Sequence, residues 1–183
     1  RYVDTIVGAG ERGKALVSQI LAYSRAESGT LEPVILGSVV TEACELLRGS
    51  SSAGIEVRLA VQPEELVVSG DPTRLHQLVM NLASNALHAM PEGGVLEIGL
   101  ARRTLAEPVR TRLSEVPAGE WAVLEVKDTG EGIRPEVIDR IFEPFFTTKR
   151  AGRGTGLGLA LVHSIVKEHG GAIDVVSEVG KGT

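Results

Sequence analysis

Apolar and polar residues follow two different periods along this chain. Where apolar positions recur every three to four residues, the pattern predicts helices over residues 1–27, 36–48 and 71–90, and from the end of a glycine-rich loop near residue 156 to His169. Where they alternate, it predicts strands over residues 55–61, 66–68, 95–103, 121–127 and 172–177. Asp71 followed by Pro72 is typical of a helix start.

The order of these elements predicts an α+β fold, a two-layer sandwich in which about three helices cover one face of a mixed sheet. The pattern places a coiled-coil-type helix in an N-terminal unit, residues 1–29, ahead of the expected sandwich domain, residues 30–183. A hairpin excursion is expected between the strands 95–103 and 121–127, and a short helix after Pro135. The terminal turn Gly180-Lys181-Gly182-Thr183 should lead into another strand, so we interpret the chain as a fragment.

Composition narrows the possible functions. The 183 residues, 43% of them apolar, suffice for one main core. A net charge of −5 argues against a nucleic-acid partner. Cys44 stands alone, which excludes a disulfide framework and favours the cytoplasm. No apolar run approaches the roughly 18 residues of a membrane span, so no membrane contact is expected of this piece.

A polar stripe follows one side of the predicted helix 71–90. At about 100° per residue, five side chains fall within about 40° of one another: Arg74, Gln77, Asn81, Asn85 and His88. The opposite arc is apolar: Leu75, Val79, Leu82, Ala83, Ala86 and Met90. The amide oxygens of two asparagines four residues apart could meet a hard cation such as Mg²⁺. Taken alone, the stripe fits a solvated helix face better.

Asp128 ends an apolar strand face. Ala122, Leu124, Val126 and Asp128 alternate onto the same side. A carboxylate there needs a committed donor, because burying it unpaired is costly. Gly130 and Gly132 would let a flat ring approach the backbone, so an adenine amino group is one candidate donor. A turn closed by the aspartate is the commoner explanation of this motif alone.

Glycines at positions 152, 154, 156 and 158 precede the last helix, with Lys149, Arg150 and Arg153 beside them. Backbone N–H groups at a helix start, together with these cations, favour a phosphate. The preceding segment 142–149 is not a buried strand, which excludes a dinucleotide-binding loop of the usual kind. Its phenylalanines predict a mobile lid that they anchor, and a disordered glycine loop is the alternative.

The order of these three motifs resembles that of sensor histidine kinases. Asn81-Leu82-x-x-Asn85-Ala86 is similar to their N box, Asp128-x-Gly130-x-Gly132 to the first glycine box, and Phe142-Glu143-Pro144-Phe145-Phe146 to the F box. Gly154-Thr155-Gly156-Leu157-Gly158-Leu159 resembles the second glycine box and residues 180–183 the third. The segment 19–25 is similar to the second helix of the dimerisation and histidine-phosphotransfer hairpin.

This resemblance implies the Bergerat ATP-binding fold and assigns roles within it. Asn85 would coordinate Mg²⁺, Asn81 would support metal and phosphates, Asp128 would accept from adenine, and Lys149 would hold phosphate. Asn81, Asn85 and Lys149 are the implied catalytic residues. The implied ATP pocket comprises Asn81, Asn85, His88, Asp128, Gly130, Gly132, Ile133, Phe142, Lys149, Arg153, Gly154, Thr155, Gly156, Leu157 and Gly158. At His88 and Ala89 many members instead carry a lysine and an aromatic residue.

The implied activity is transfer of the ATP γ-phosphoryl group to a histidine on a helix upstream of Arg1, for relay to an aspartate of a response-regulator receiver domain. The fragment is then expected to bind Mg-ATP without completing autophosphorylation. A homodimer through the first helix, a cytoplasmic location and possible membrane anchoring of the whole protein follow from the same resemblance. The alternatives are an ATP-hydrolysing switch of the gyrase, mismatch-repair or chaperone type, and a non-catalytic nucleotide-binding or dimerisation module. The phenylalanine cluster and the first helix favour the kinase.

Overall fold

A computed structural model describes residues 30–50, 54–62, 65–149 and 155–183 of the chain. The predicted helix 1–27, with the proposed domain 1–29, lies outside the described residues. So do residues 150–154, which include Arg153 and Gly154.

Three helices form as predicted in the described ranges: α1 (Leu36–Ser50), α2 (Pro72–Ala89) and α3 (Gly158–Glu168). Asp71 caps α2, because its carboxylate accepts from the backbone N–H groups of Thr73 at 2.8 Å and Arg74 at 3.1 Å. The short helix expected after Pro135 is a single 3₁₀ turn, Ile138–Arg140. No helix in these ranges is long and apolar enough to cross a membrane.

The central sheet is mixed, as the sequence predicts. Its middle strand β4 (Gly94–Leu105) pairs in parallel with β2 (Ile55–Val61) and antiparallel with β7 (Gly119–Asp128). A separate antiparallel pair joins β1 (Glu32–Ile35) to β3 (Val67–Gly70). The predicted hairpin excursion is present as β5 (Val109–Arg110) and β6 (Glu115–Val116).

Two strand assignments differ from the sequence-based prediction. The sequence-based prediction has no strand at β1, which contains Pro33; Pro33 lies opposite Ser69 in a two-stranded pair, where a missing N–H is tolerated. The strand expected over residues 172–177 is not assigned, and that prediction was wrong. The side chains of residues 172–177 do alternate in exposure. This alternation shows which side chains are buried, but it does not ensure that the backbone N–H and C=O groups pair with a neighbouring strand.

The three helices pack on one face of the central sheet to form the core. The most completely buried side chains are Leu96, Ile98 and Leu100 of β4, Val40 and Cys44 of α1, Val79 of α2, and Leu161, Val162 and Ile165 of α3. Leu78 is also buried, although the predicted apolar arc did not include it. Burial raises the pKa of the Cys44 thiol, which fits an unreactive core cysteine.

Adjacent leucines of α1 provide a matched test of this core. Leu47 is 3% exposed and Leu46 is 53% exposed. We expect Leu47→Ala to lower the free energy of unfolding by about 2–5 kcal/mol, because it leaves a cavity. Leu46→Ala should cost less than about 1 kcal/mol. Urea denaturation measures both, and equal losses would contradict the packing of α1.

Candidate functional site

The polar stripe of α2 meets the first residue of α3. A Cβ built on Gly158 would lie 3.3 Å from Oδ1 of Asn81 and 3.5 Å from Nδ2 of Asn85. The Asn81 side-chain amide donates to the carbonyl oxygen of Gln77 at 2.8 Å, which orients that side chain on the helix. The predicted asparagine stripe therefore lies at a helix N-terminus, where backbone N–H groups lack partners within the helix.

Lys149, in the segment that precedes the glycine-rich loop, also approaches this stripe. Its Nζ lies 3.5 Å from Oδ1 of Asn85, at the outer limit of a hydrogen bond. Burial lowers the pKa of Lys149, while the carboxylate of Glu131 acts in the opposite direction. A partly desolvated ammonium group thus stands beside Asn85, where it can act on a bound anion.

Asp128 ends β7 as a buried carboxylate with 7% of its surface exposed. Burial raises the pKa of Asp128; the backbone N–H groups of Gly130 and Thr183 act to lower it, and Glu131 raises it further. Oδ1 accepts from the Gly130 N–H at 2.8 Å. The turn closed by the aspartate side chain, one of the two explanations that the sequence offers, is therefore present.

The glycines after Asp128 are required by neighbouring backbone. A Cβ on Gly130 would lie 2.4 Å from the carbonyl oxygen of Ala89, and one on Gly132, at φ +68°, would lie 2.2 Å from that of Glu178. Gly182, at φ +110°, is pressed against the Asp128 carbonyl in the same way. Close packing of backbone segments around Asp128 is thus a second reason for these glycines, and room for a flat ring stays a prediction.

Two of the three phenylalanines in the segment 142–146 have aromatic or cationic partners. The Phe142 ring lies 5.6 Å from the ring of His163 in α3, and the Arg140 guanidinium lies 4.5 Å from the Phe146 ring centroid. Phe145 is 67% exposed, although its backbone N–H donates to the Gly156 carbonyl at 2.9 Å. Anchoring by the phenylalanine rings therefore applies to Phe142 and Phe146.

Several other predicted site residues have side chains that serve local structure. His88 is exposed and its Nδ1 approaches the Ser84 carbonyl of its own helix. The Leu157 side chain is 2% exposed and lies in the core, so only its backbone could reach a ligand. The Ile133 N–H donates to Ser177 Oγ at 2.7 Å, and Thr155 Oγ accepts from the Leu157 N–H at 3.3 Å.

Sequence reasoning missed Glu131 and Thr129. The Glu131 charge acts on both Asp128 and Lys149. Thr129 Oγ1 accepts from the Val95 N–H at 3.0 Å and so fixes the turn to β4. Both residues sit between motif positions, and that placement is the signal that could have identified them.

In the described part of the chain, no group of three or more His, Cys, Asp or Glu side chains could hold a metal ion. A metal here would depend on amide oxygens and on oxygens of a bound phosphate or water, a ligand set that suits Mg²⁺. An open cavity of about 500 Å³ lies elsewhere, between the start of α1 and the end of β2. It is lined by none of the predicted site residues.

Comparison with known proteins places this geometry in a family. Residues 70–183 match the family described as histidine kinase-, DNA gyrase B-, and HSP90-like ATPase. The sensor kinase CckA of Brucella abortus (strain 2308) is 40% identical over 172 residues, covering 94% of this chain and 18% of that protein. The sensor histidine kinase ZraS of Escherichia coli (strain K12) is 34% identical over 174 residues, covering 94% of this chain and 34% of that protein.

Solved structures give the same assignment. The mycobacterial sensor histidine kinase MprB has a TM-score of 0.61 and 32% identity, covering 78% of this chain and 82% of that one. Full-length ShkA in complex with AMPPNP has a TM-score of 0.75 and 28% identity, covering 99% of this chain and 36% of that one.

The chain therefore belongs to the histidine kinase-, DNA gyrase B- and HSP90-like ATPase family, and within it to the sensor histidine kinases. It has the ATP-binding domain of that class, so the predicted fold and family are confirmed and the kinase interpretation is favoured over the gyrase or chaperone type. The chain spans about a fifth to a third of the length of the first two curated relatives, 18% and 34%.

The burial of Asp128 gives a test that needs no ligand. Because the pKa of Asp128 is raised, ionisation of this group lowers the stability of the fold as the pH rises through that pKa. Asparagine cannot ionise and keeps an acceptor for the Gly130 N–H. We expect the free energy of unfolding of Asp128→Asn, relative to wild type, to improve as the pH rises from about 4 to about 7. Urea denaturation across this range should show the trend, and a constant difference would contradict it.

Proposed function

We propose that this chain binds Mg-ATP between α2, the turn after β7 and the start of α3, and provides the kinase half of a phosphotransfer to a histidine elsewhere in the whole protein. The observation that supports this most directly is the approach of Asn81, Asn85 and Lys149 to the N-terminus of α3. Amide oxygens, an ammonium group and exposed N–H groups at one place suit a metal-bound polyphosphate.

The adenine end of the nucleotide is assigned to Asp128. Its carboxylate is buried, and one oxygen is already committed to the Gly130 N–H. An exocyclic amino group that donates to the other oxygen would offset the cost of burial that raises the pKa of this group. The close-packed glycines at 130, 132 and 182 keep the carboxylate in one position, which is what a specific base contact requires.

The phosphate end is assigned to Lys149 and to the backbone at residues 155–158, with Asn85 as a metal ligand and Asn81 beside it. A bound Mg²⁺ would supply charge neutralisation on the phosphates. The chain's own contribution is then to orient the terminal phosphoryl group and to hold its charge in a partly desolvated site. Positioning and electrostatic stabilisation provide most of the catalysis in phosphoryl transfer.

The acceptor is assigned to a histidine elsewhere in the whole protein, because the four histidines of this chain have other surroundings. His76 Nε2 is buried without a hydrogen-bond partner within the described ranges. His163 faces Phe142, and burial, with Lys167, lowers the pKa of its ring. Both ring nitrogens of His169 are engaged. His88 is exposed but belongs to the proposed ATP pocket.

The remaining assignments rest on the family. We propose that residues 1–29 are the second helix of a dimerisation and phosphotransfer hairpin, that residues 30–183 are the catalytic domain, and that the phosphoryl group passes to a receiver-domain aspartate. CckA, ZraS and MprB are described as a sensor kinase and sensor histidine kinases, which supports this proposal. A cytoplasmic location of this part is proposed on the same basis.

Asp128→Asn should weaken ATP binding roughly 10-fold to 100-fold, because it replaces a charged acceptor by a neutral amide that can present its own N–H groups to adenine. Isothermal calorimetry with Mg-ATP measures the change. Glu125→Gln is the matched control: Glu125 lies on the same strand with its side chain on the exposed face, so affinity should be unchanged. Equal affinities of wild type and Asp128→Asn would refute the adenine assignment.

Asn85→Ala should reduce Mg²⁺-dependent phosphorylation of the full-length protein at least 100-fold, because it removes the proposed metal ligand while leaving α2 intact. Incorporation of labelled phosphate from ATP measures it. Thr73→Ala, an exposed position in the first turn of the same helix and outside the proposed pocket, is the control. Labelling of Asn85→Ala at the wild-type rate would rule out the metal role.

A further inference from the structure

The helices α2 and α3 run antiparallel, and both ends of α3 contact α2. The first residue of α3, Gly158, faces Asn81 and Asn85 in the middle of α2. The last residue of α3, Glu168, and the following His169 instead meet the first turn of α2. An 11-residue helix is about 16 Å long, so these two contacts are the ends of one rigid rod.

His169 makes the contact at the far end from the proposed phosphate site. Its Nε2 accepts from the backbone N–H of Asp71 at 3.0 Å, and its Nδ1 lies 2.7 Å from the carbonyl oxygen of Ile165. A backbone N–H only donates and a carbonyl only accepts, so these partners fix the neutral ring with its proton on Nδ1. The imidazole thereby joins the end of α3 to the residue that caps α2.

The same junction leaves little freedom for the ring. A Cβ on Gly70, the residue before Asp71, would lie 2.8 Å from Cδ2 of His169, so the ring is seated against the end of β3. Beside it, Arg74 and Glu168 form a bidentate ion pair with N–O distances of 2.8 Å. Ser164 Oγ also donates a hydrogen bond to Glu168 at 2.8 Å. Three elements therefore meet at His169.

We propose that His169 is a positioning residue for the nucleotide site: it sets the register of α3 along α2 and so holds Gly158 and the adjoining backbone N–H groups opposite Asn81 and Asn85. This inference rests on the proposed function. A helix transmits a displacement along its axis, and shifts of about 1 Å at a reacting group have large effects on transfer rates. No atom of His169 needs to touch ATP for this role.

The test compares three substitutions at position 169. His169→Gln offers a carbonyl oxygen that can reach the Asp71 N–H. His169→Leu is of similar size and has no acceptor, and the shorter His169→Asn has an acceptor that cannot span the gap. By calorimetry with Mg-ATP, we expect affinity losses of about 10-fold for the leucine and asparagine variants and less than about threefold for the glutamine variant.

A matched control separates positioning from general loss of stability. Leu47→Ala destabilises the core from α1, which does not contribute to the proposed ATP site. At a temperature where all variants are folded by circular dichroism, Leu47→Ala should bind Mg-ATP with wild-type affinity. In the full-length protein, His169→Leu should also lower kcat for phosphorylation, because the phosphates are misplaced as well as weakly held.

Each outcome bears on one of the two proposals. If wild type fails to bind Mg-ATP, the proposed function is overturned and the role of His169 falls with it. If wild type binds and the leucine and asparagine variants bind equally well, the positioning role is overturned and the ATP site stands. If Leu47→Ala loses affinity in proportion to stability, the His169 effect is a stability effect and the inference is overturned. Should His169→Leu not fold, His169→Asn against His169→Gln carries the comparison.

Discussion

The proposed site depends on how α2 packs. The apolar side of this helix lies in the core, and its polar stripe lies on the opposite side. Val79 and Ala83 are fully buried against the sheet and its helices, and this fixes the rotation of α2 about its own axis. Asn81 and Asn85 are thereby turned toward Gly158. Core packing thus determines which side chains of α2 are available for chemistry. Asparagine is a weak helix former, and the packing of α2 against the sheet offsets the free-energy cost of two asparagines in mid-helix.

Around this helix, the site is assembled from segments far apart in the chain. Asp128 comes from the end of β7, Lys149 from the segment before the glycine-rich loop, and the N–H groups from the start of α3. Asp128 and the N–H groups lie at the ends of regular elements and Lys149 lies in a loop, where backbone groups and side chains are not used up by pairing. The proposed site is therefore held by rigid helices and strands, while the groups that would face a ligand belong to turns and loops. This division is common in nucleotide-binding proteins.

Much of the fold could be predicted from the sequence, because it depends on the chemistry of residues that are close together in the chain. The capped start of α2 follows from Asp71 and Pro72, and the mixed sheet with helices on one face follows from the periodicity and order of elements. The features that the sequence did not predict depend on contacts between distant segments. Pro33 in β1 is accepted because its strand has a single neighbour, and the packing partners of Gly130 and Gly132 come from residues 89 and 178. The hydrogen bond from the Asp71 N–H to His169 joins residues 98 positions apart in the chain, and no local sequence pattern predicts it.

The packing of the last residues against Asp128 has a consequence for the order of folding. Gly182 is pressed on the Asp128 carbonyl, and the Asp128 N–H donates to the Thr183 carbonyl at 2.9 Å. During synthesis, β4 and β7 can pair long before these residues leave the ribosome. The turn that carries the carboxylate can settle only afterwards, since the loop that brings the segments together spans more than 50 residues and closes slowly. The carboxylate therefore reaches its final position only after residues 182 and 183 have been synthesised, later than the strands that carry it.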